Sequence, residues 1–291
     1  MVGIMKITTL IENSQDEKGL LKNEHGLSIF IESSYGNILF DTGKSGDFVE
    51  NAKKMNIDLG TIKTLVLSHA HYDHCGGVKR LLDTYNVAPN VIVGNTFFKN
   101  SDRYHYSDGG LKTDFSGEVG YKYVGIDFGE EYLKEKNISI NYIKENMYKV
   151  NDEVYIFTNF KKIHSIEKEN KNMLIKVDKD QYITDSFDDE VSIGLKTKDG
   201  VVILLGCAHP GFLNIIDSIK EFTGEKICGV IGGTHLVEGD DERINKSADY
   251  LERMGLKSIG LSHCTGEKAV KIFEEKCKNT FTNRTGTVIE F

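Results

Sequence analysis

Three histidines and one aspartate fall within six residues, His69-Ala70-His71-Tyr72-Asp73-His74. Neutral imidazole nitrogen and carboxylate oxygen are the donors that borderline cations such as Zn²⁺ accept at about 2.0–2.2 Å. One residue, Ser68, separates the cluster from the apolar run Thr64-Leu65-Val66-Leu67, and one, Cys75, from Gly76-Gly77. A strand, a tight turn and then a helix would aim several ligands at one small volume. The competing reading, a solvated turn that happens to be rich in histidine, does not account for that context.

The elements that must position these residues repeat one pattern. Val201-Val202-Ile203-Leu204-Leu205 is an unbroken apolar run, the mark of a strand buried on both faces, and it ends in Gly206-Cys207-Ala208-His209. Phe212, Ile215, Ile216, Ile219 and Phe222 follow at the spacing of one apolar helix face. Ile227-Cys228-Gly229-Val230-Ile231 ends in Gly232-Gly233-Thr234-His235, and Ile244, Ala248, Leu251 and Met254 mark its helix. Ser258-Ile259-Gly260-Leu261 ends in Ser262-His263-Cys264-Thr265-Gly266, with a helix from about Glu267. After the first cluster, Val78, Leu81, Leu82 and Tyr85 predict a helix in the same place. Six of the nine histidines therefore stand just past the ends of four β-runs. Loops at the carboxyl ends of strands form the ligand crevice in open α/β sheets, so the four ends are expected to converge.

The N-terminal part reads as a meander, Lys6 to Ile11, Leu27 to Ile31, and Asn37-Ile38-Leu39-Phe40 ending in Asp41-Thr42-Gly43. Asp41 is either a turn former or helix cap or a carboxylate that orients a metal ligand. Thr287 to Phe291 predicts a closing strand. Strands first and βα units after, in two halves, predict an α/β protein of α+β type with helices flanking two packed sheets.

His69-x-His71-x-Asp73-His74 followed by Gly76-Gly77 resembles the signature of the metallo-β-lactamase fold hydrolases. Leu39-Phe40-Asp41-Thr42-Gly43 resembles the strand end that precedes that signature, and Ser262-His263 resembles the last metal histidine. The resemblance implies a four-layer αββα sandwich over residues 1–291. Leu205-Gly206-Cys207-Ala208-His209-Pro210-Gly211, Ile231-Gly232-Gly233-Thr234-His235-Leu236 and His263-Cys264-Thr265-Gly266 resemble the branch described as dihydropterin ribofuranosylaminobenzene 5′-phosphate synthase-like. That branch implies a pterin-pathway phosphate ester as substrate, although fold and site type do not fix a substrate. Carried over by position, the resemblance assigns His69 and His71 to one metal, and Asp73, His74 and His263 to another. Where the superfamily places a bridging aspartate, this chain has Cys207. Cys207 is either a thiolate ligand or a small packed residue. His209 is the best candidate for the third histidine of the first site, with His164 and His105 less well placed, and the number of ions, one or two, stays open. A diiron flavoprotein oxidase of this fold would carry glutamate where this chain has His71.

Such a site predicts a metal-dependent hydrolase in which a metal-bound hydroxide attacks a small phosphate ester or an acyl or thioester metabolite. Zn²⁺ is the first expectation from the N/O/S donor set, with iron or manganese as alternatives. Asp73 is expected to be both ligand and orienting group for the water. His235 is expected to stabilise developing charge, and Thr265 and Gly266 to meet an anionic substrate at a helix N-terminus. The alternative is a non-catalytic metal-binding or sensing protein whose ions are closed off by protein ligands.

Composition narrows the partners. The 291 residues carry a net charge of −8, which argues against nucleic acid, since that binding needs clustered Lys and Arg. No apolar run reaches the 18 or more residues of a membrane span. The five cysteines form no CxxC pair and predict free thiols in a reducing compartment. With a start that reads as a strand and not a signal peptide, the expectation is a cytoplasmic protein. With only two prolines and no linker-like stretch, one domain is expected, carrying an aromatic-rich insertion at about 95–160. That insertion, with Phe97, Phe98, Tyr104, Tyr106, Phe115, Tyr121, Tyr123 and Phe128, reads either as a lid that stacks on a flat ring or as a small core or homodimer contact. Glu12 to Glu24 carries no chemical signal and reads as a solvated loop near the mouth of the site.

Overall fold

Neighbouring residues of a strand point to opposite faces, and the central strands of this chain are apolar on both. The computed structural model describes residues 5–109 and 117–291. Its first part runs β1 (Lys6–Ile11), β2 (Ser28–Glu32), β3 (Asn37–Phe40), α1 (Phe48–Lys54), β4 (Ile62–Val66), α2 (Tyr72–Cys75), α3 (Val78–Thr84) and β5 (Asn90–Gly94). The middle holds β6 (Arg103–Asp108), β7 (Val119–Tyr123), α4 (Glu130–Glu135), β8 (Ile140–Ile143), β9 (Met147–Lys149), β10 (Val154–Phe157), β11 (Met173–Asp178) and β12 (Gln181–Thr184). The last part holds β13 (Ser192–Thr197), β14 (Gly200–Leu205), α5 (Phe212–Thr223), β15 (Ile227–Gly232), α6 (Asp241–Met254), β16 (Ser258–Leu261), α7 (Glu267–Lys276), β17 (Thr280–Thr282) and β18 (Val288–Glu290).

Two seven-stranded sheets form, in the orders β18-β1-β2-β3-β4-β5-β8 and β17-β16-β15-β14-β13-β10-β9. Ile29, Ile31, Ile38, Phe40, Val66 and Ile92 of the first meet Ile156, Ile193, Val202, Leu204 and Ile231 of the second in a shared core. The intervening Phe30, Leu39, Leu65 and Val91 share a second core with Phe48 and Val49 of α1 and Val78 and Leu81 of α3. On the far side Val201, Ile203, Leu205 and Val230 pack with Phe212 and Ile216 of α5, Ile244 and Leu251 of α6 and Phe273 of α7. Burying one such side chain stabilises the fold by about 1.5–3 kcal/mol. Period two within the strands and period 3.6 in the helices thus produce the expected αββα layers. β3, β4 and β5 run parallel in one sheet, and β14, β15 and β16 run parallel in the other. The carboxyl ends of β4, β14, β15 and β16 carry the histidines.

The stretch at 95–160 is divided between several places, with Phe115 outside the described residues. β6 and β7 join β11 and β12, which lie beyond residue 160, in an antiparallel four-stranded sheet of order β12-β11-β6-β7. β8 completes the first large sheet, and β9 and β10 the second. Phe97 and Phe128 are buried in the core under α1 and α3, with Phe98 packed against it. Along β6, Arg103, His105 and Ser107 are buried while Tyr104 and Tyr106 alternate toward solvent. Tyr106, Tyr121 and Tyr123 are exposed, and Tyr121 stacks on Tyr182 with ring centroids 4.4 Å apart. A tyrosine lid over a ligand is therefore not what these residues form, because the strand period sends them to the face opposite His105. Among the described residues no helix is long and apolar enough to cross a membrane.

Candidate metal centre

Each candidate ligand stands where a parallel strand stops. After β4 the chain continues through Ser68 into His69, Ala70 and His71, and α2 then carries Asp73 and His74. Cys207 and His209 follow β14, His235 follows β15, and His263 follows β16. Eight non-glycine residues among those described have positive φ. Three are asparagines in turns, and the other five are Asp41, Phe187, Ala208, His235 and His263. Such backbone costs on the order of 1–3 kcal/mol per residue and concentrates at functional sites. All five of these residues surround the cluster or belong to it.

Ligand atoms sharing a tetrahedral ion at about 2.0–2.3 Å lie roughly 3.3–3.8 Å apart. His74 Nε2 approaches both Cys207 Sγ and His263 Nε2 to 3.2 Å. His263 Nε2 is 3.2 Å from Asp73 Oδ2, and His25 Nε2 is 3.1 Å from that same oxygen. His69 Nε2 lies 3.0 Å from His71 Nδ1. Within 4.8 Å of one another fall the donor atoms of His69, Cys207 and His209, of His74, Cys207 and His263, of Cys207, His235 and Cys264, and of His25, Asp73 and His263. Cys207 belongs to three of these four sets, between the two histidine groups. Both ring nitrogens of His209 and both of His235 are buried with no hydrogen-bond partner in the protein. An unsatisfied buried polar group costs about 1–3 kcal/mol, so these rings fit a role as ligands of an ion or contacts to a substrate. The donor set of imidazole, carboxylate and thiol fits a divalent transition metal.

The electrostatics agree with ligation. Burial pulls the His69, His71 and His209 imidazoles well below their ordinary range, with neighbouring cationic groups adding to it. All three are therefore neutral at pH 7, the form that ligates metals. Burial also pulls His74 down, but the Asp41 and Asp73 carboxylates outweigh it and hold the ring at about 9. A proton and a metal ion would compete for that nitrogen. Burial, joined by the neighbouring Cys264, pushes the Cys207 thiol up; a coordinated ion reverses that preference, since a ligating thiol is deprotonated outright.

A supporting layer locks these rings. His74 Nδ1 donates to Asp41 Oδ2 at 2.6 Å, and Asp41 also accepts from Ser68 N and Ser68 Oγ, each at 2.7 Å. Asp41 is thus more than a turn former: it fixes the His74 ring with Nε2 toward the cluster. His263 Nδ1 donates to Asn13 Oδ1 at 2.9 Å. Asp189 accepts from Ala70 N at 3.0 Å and from both terminal nitrogens of Arg103, at 2.9 and 2.6 Å. The Arg103 guanidinium also lies 4.9 Å from the centre of the Phe187 ring, which stacks on His209 at 3.8 Å. The third sheet therefore braces the cluster from behind.

His69, His71, Asp73, His74, Cys207, His209, His235 and His263 all come together. Thr265 and Gly266 do not join them. Thr265 is fully buried, its hydroxyl bonded to that of Thr234 at 3.1 Å, and a Cβ on Gly266 would press on Val237. The turn after β16 spends that helix start on internal packing, and neither residue lines the cavity over the cluster. His164 pairs with Asp217 at 2.7 Å, away from the cluster. His105 lines the same cavity from the third sheet.

Sequence reasoning missed His25, Asn13 and Glu238, which also line the cavity. The loop from Glu12 to Glu24 is thus not chemically silent. Glu12 is buried and accepts from Ser14 N, and Asn13 reaches two histidines, His263 and His25. One signal was present at Gly26. A Cβ there would lie 2.6 Å from the Asp73 carbonyl oxygen, so glycine is required where His25 is brought to the motif.

Residues 22–132 match the family described as the metallo-beta-lactamase superfamily. Over 99% of its length, and 97% of the relative's, the chain is 30% identical to the 7,8-dihydropterin-6-methyl-4-(beta-D-ribofuranosyl)-aminobenzene-5'-phosphate synthase of Methanocaldococcus jannaschii. It is similar to the crystal structure of Tm1679, described as a metal-dependent hydrolase of the beta-lactamase superfamily, with TM-score 0.81 and 26% identity over 99% of each chain. YhfI from Bacillus subtilis, a metallo-beta-lactamase fold protein, shares the fold at TM-score 0.58 and 11% identity over 99% of each chain. By strand order, histidine cluster and whole-length similarity, this chain belongs to the metallo-beta-lactamase superfamily.

Proposed function

We propose that this chain is a metal-dependent hydrolase of a small anionic metabolite, a phosphate ester or an acyl or thioester compound, with a pterin-pathway phosphate compound as the leading case. The observation that carries the reading is the convergence of imidazole, carboxylate and thiol donors on one cavity, with His209 and His235 left unpartnered. His69, His71 and His209 would hold one ion, and Asp73, His74 and His263 a second, with Cys207 between them. A bound Zn²⁺, Fe²⁺ or Mn²⁺ supplies Lewis acidity and a nucleophile at neutral pH. Asp73, an acceptor only when ionised, orients the attacking water through the oxygen that already meets His25 and His263. His235, lining the cavity with no internal hydrogen-bond partner on its ring, donates to the substrate oxygen on which charge develops. The name of the Methanocaldococcus relative favours a second reading, in which the same residues serve a group transfer with a second substrate in place of water.

The test is turnover of generic phosphodiester and thioester substrates by protein stripped of metal and reloaded with Zn²⁺, Mn²⁺ or Fe²⁺. Activity is expected to return with one of the ions and to fall at least about a hundredfold in His71→Ala. Metal-independent turnover, or an unchanged rate in that variant, overturns the reading.

A further inference from the structure

The cavity has a second end, which the metal chemistry does not use. Ring contacts run from His263 to His74, His69, His209 and His235 with centroids 4.3 to 4.9 Å apart. Beyond His235 stands Glu238, 3.8 Å away, and beyond it His105 of β6, 3.6 Å away. Both separations exceed a hydrogen bond. His105 is 3% exposed, and both of its ring nitrogens are buried without a hydrogen-bond partner. Asn170 donates to Glu238 Oε2, which fixes the carboxylate and leaves acceptor capacity on both oxygens. No lysine or arginine lines this cavity among the described residues. Tyr72, Val124, Met173 and Val237 supply apolar walls.

A carboxylate with free acceptor capacity in such a wall calls for a ligand that donates. Two parallel N–H groups on a planar ring match its two oxygens, as a guanidinium does. The His105 imidazole beside it offers a donor as well, matching a ring oxygen adjacent to those N–H groups. Apolar walls suit the faces of a flat heterocycle. We propose that Glu238 and His105 form a recognition subsite for the 2-amino, N–H and carbonyl edge of a 2-aminopyrimidin-4-one ring, the edge shared by pterins and guanine. The proposal rests on the reading of this cavity as the substrate site, and it assigns the polar heterocycle to the third-sheet end and the anionic group to the metal end. One imidazole, that of His235, separates the two ends, so the ring is joined to the reacting group by a short spacer.

The experiment is fluorescence titration of the metal-loaded protein with 6-hydroxymethylpterin, its 2-oxo counterpart 6-hydroxymethyllumazine, and guanosine. Replacing the amino group by a carbonyl sets an acceptor against the carboxylate, so the wild type is expected to prefer the pterin by roughly a hundredfold. In Glu238→Gln that preference is expected to fall below about threefold, and in His105→Ala both ligands are expected to weaken. Guanosine bound as well as the pterin, with the same dependence on Glu238, supports the subsite and points to a purine source. Weak guanosine binding supports it and points to a pterin. A wild type that does not tell pterin from lumazine overturns the subsite without using any variant, and so does a Glu238→Gln protein that keeps the full preference. Phosphodiester turnover in the same wild-type preparation reports separately on the hydrolase reading, so failure of one is not mistaken for failure of the other.

Discussion

At the cluster end of the cavity, histidines sit just past parallel strands, His235 and His263 on left-handed backbone, and each of His69, His74 and His263 is held from behind by a hydroxyl, a carboxylate or an amide. At the other end His105 stands mid-strand in an antiparallel sheet, with regular backbone and no hydrogen-bond partner on its ring, Glu238 lying 3.6 Å away. The first arrangement pre-organises several donors around a point and costs strain and burial, which fits an ion bound the same way each time. The second leaves hydrogen-bonding capacity unspent in a wall with apolar neighbours, which fits a ligand that comes and goes. Both ends are tied through Arg103, whose strand neighbour but one is His105 and whose carboxylate partner Asp189 holds Ala70 within the metal motif.

That tie is the place to break the comparison hardest. Arg103 is fully buried against Asp185 and Asp189, at 2.5 and 2.6 Å. Arg103→Met leaves two buried carboxylates unpaired and should cost about 3–5 kcal/mol in denaturant unfolding. A loss under 1 kcal/mol would mean that the third sheet does not brace the cluster. Asp41→Ala separates the ends more finely. It removes the acceptor for His74 Nδ1 and should weaken metal affinity by about 10–100-fold in chelator competition, whereas His105→Ala should leave that affinity within about twofold. Equal effects of the two variants would erase the distinction between the ends. The smallest effect is expected on the outer face of the third sheet. Tyr121→Ala removes the stack on Tyr182 and should lower stability by only about 0.5–1.5 kcal/mol, with metal content unchanged by elemental analysis.

The alternating and helical apolar patterns were enough for the layers. Val201 to Leu205 reads as a strand buried on both faces and is one, between two cores. The helix after Gly211 and the strand–histidine junctions after β4, β14, β15 and β16 stand where their spacing predicts. The aromatic stretch was harder. Its strand β6 pairs with β11, as in His105 opposite Met173, 68 positions further along the chain, and no local period encodes such a partner. Thr265 and Gly266 misled for a related reason: a helix start has unpaired N–H groups in any sequence, but its exposure to a cavity depends on what packs over it.

Residue chemistry and spacing were sufficient to place candidate metal ligands at the carboxyl ends of strands in this chain, because ligand type and strand-end position are local properties. They were also sufficient for the two-sheet architecture, because burial on both faces is written in consecutive residues. Folding alone brought His25 and Asn13 to Asp73 and His263, stationed Cys207 between two histidine groups, and carried His105 and Glu238 to the same cavity wall. Those relations join residues up to 250 positions apart. They follow from which sheet faces pack together, a free-energy balance over the whole chain that no single segment expresses.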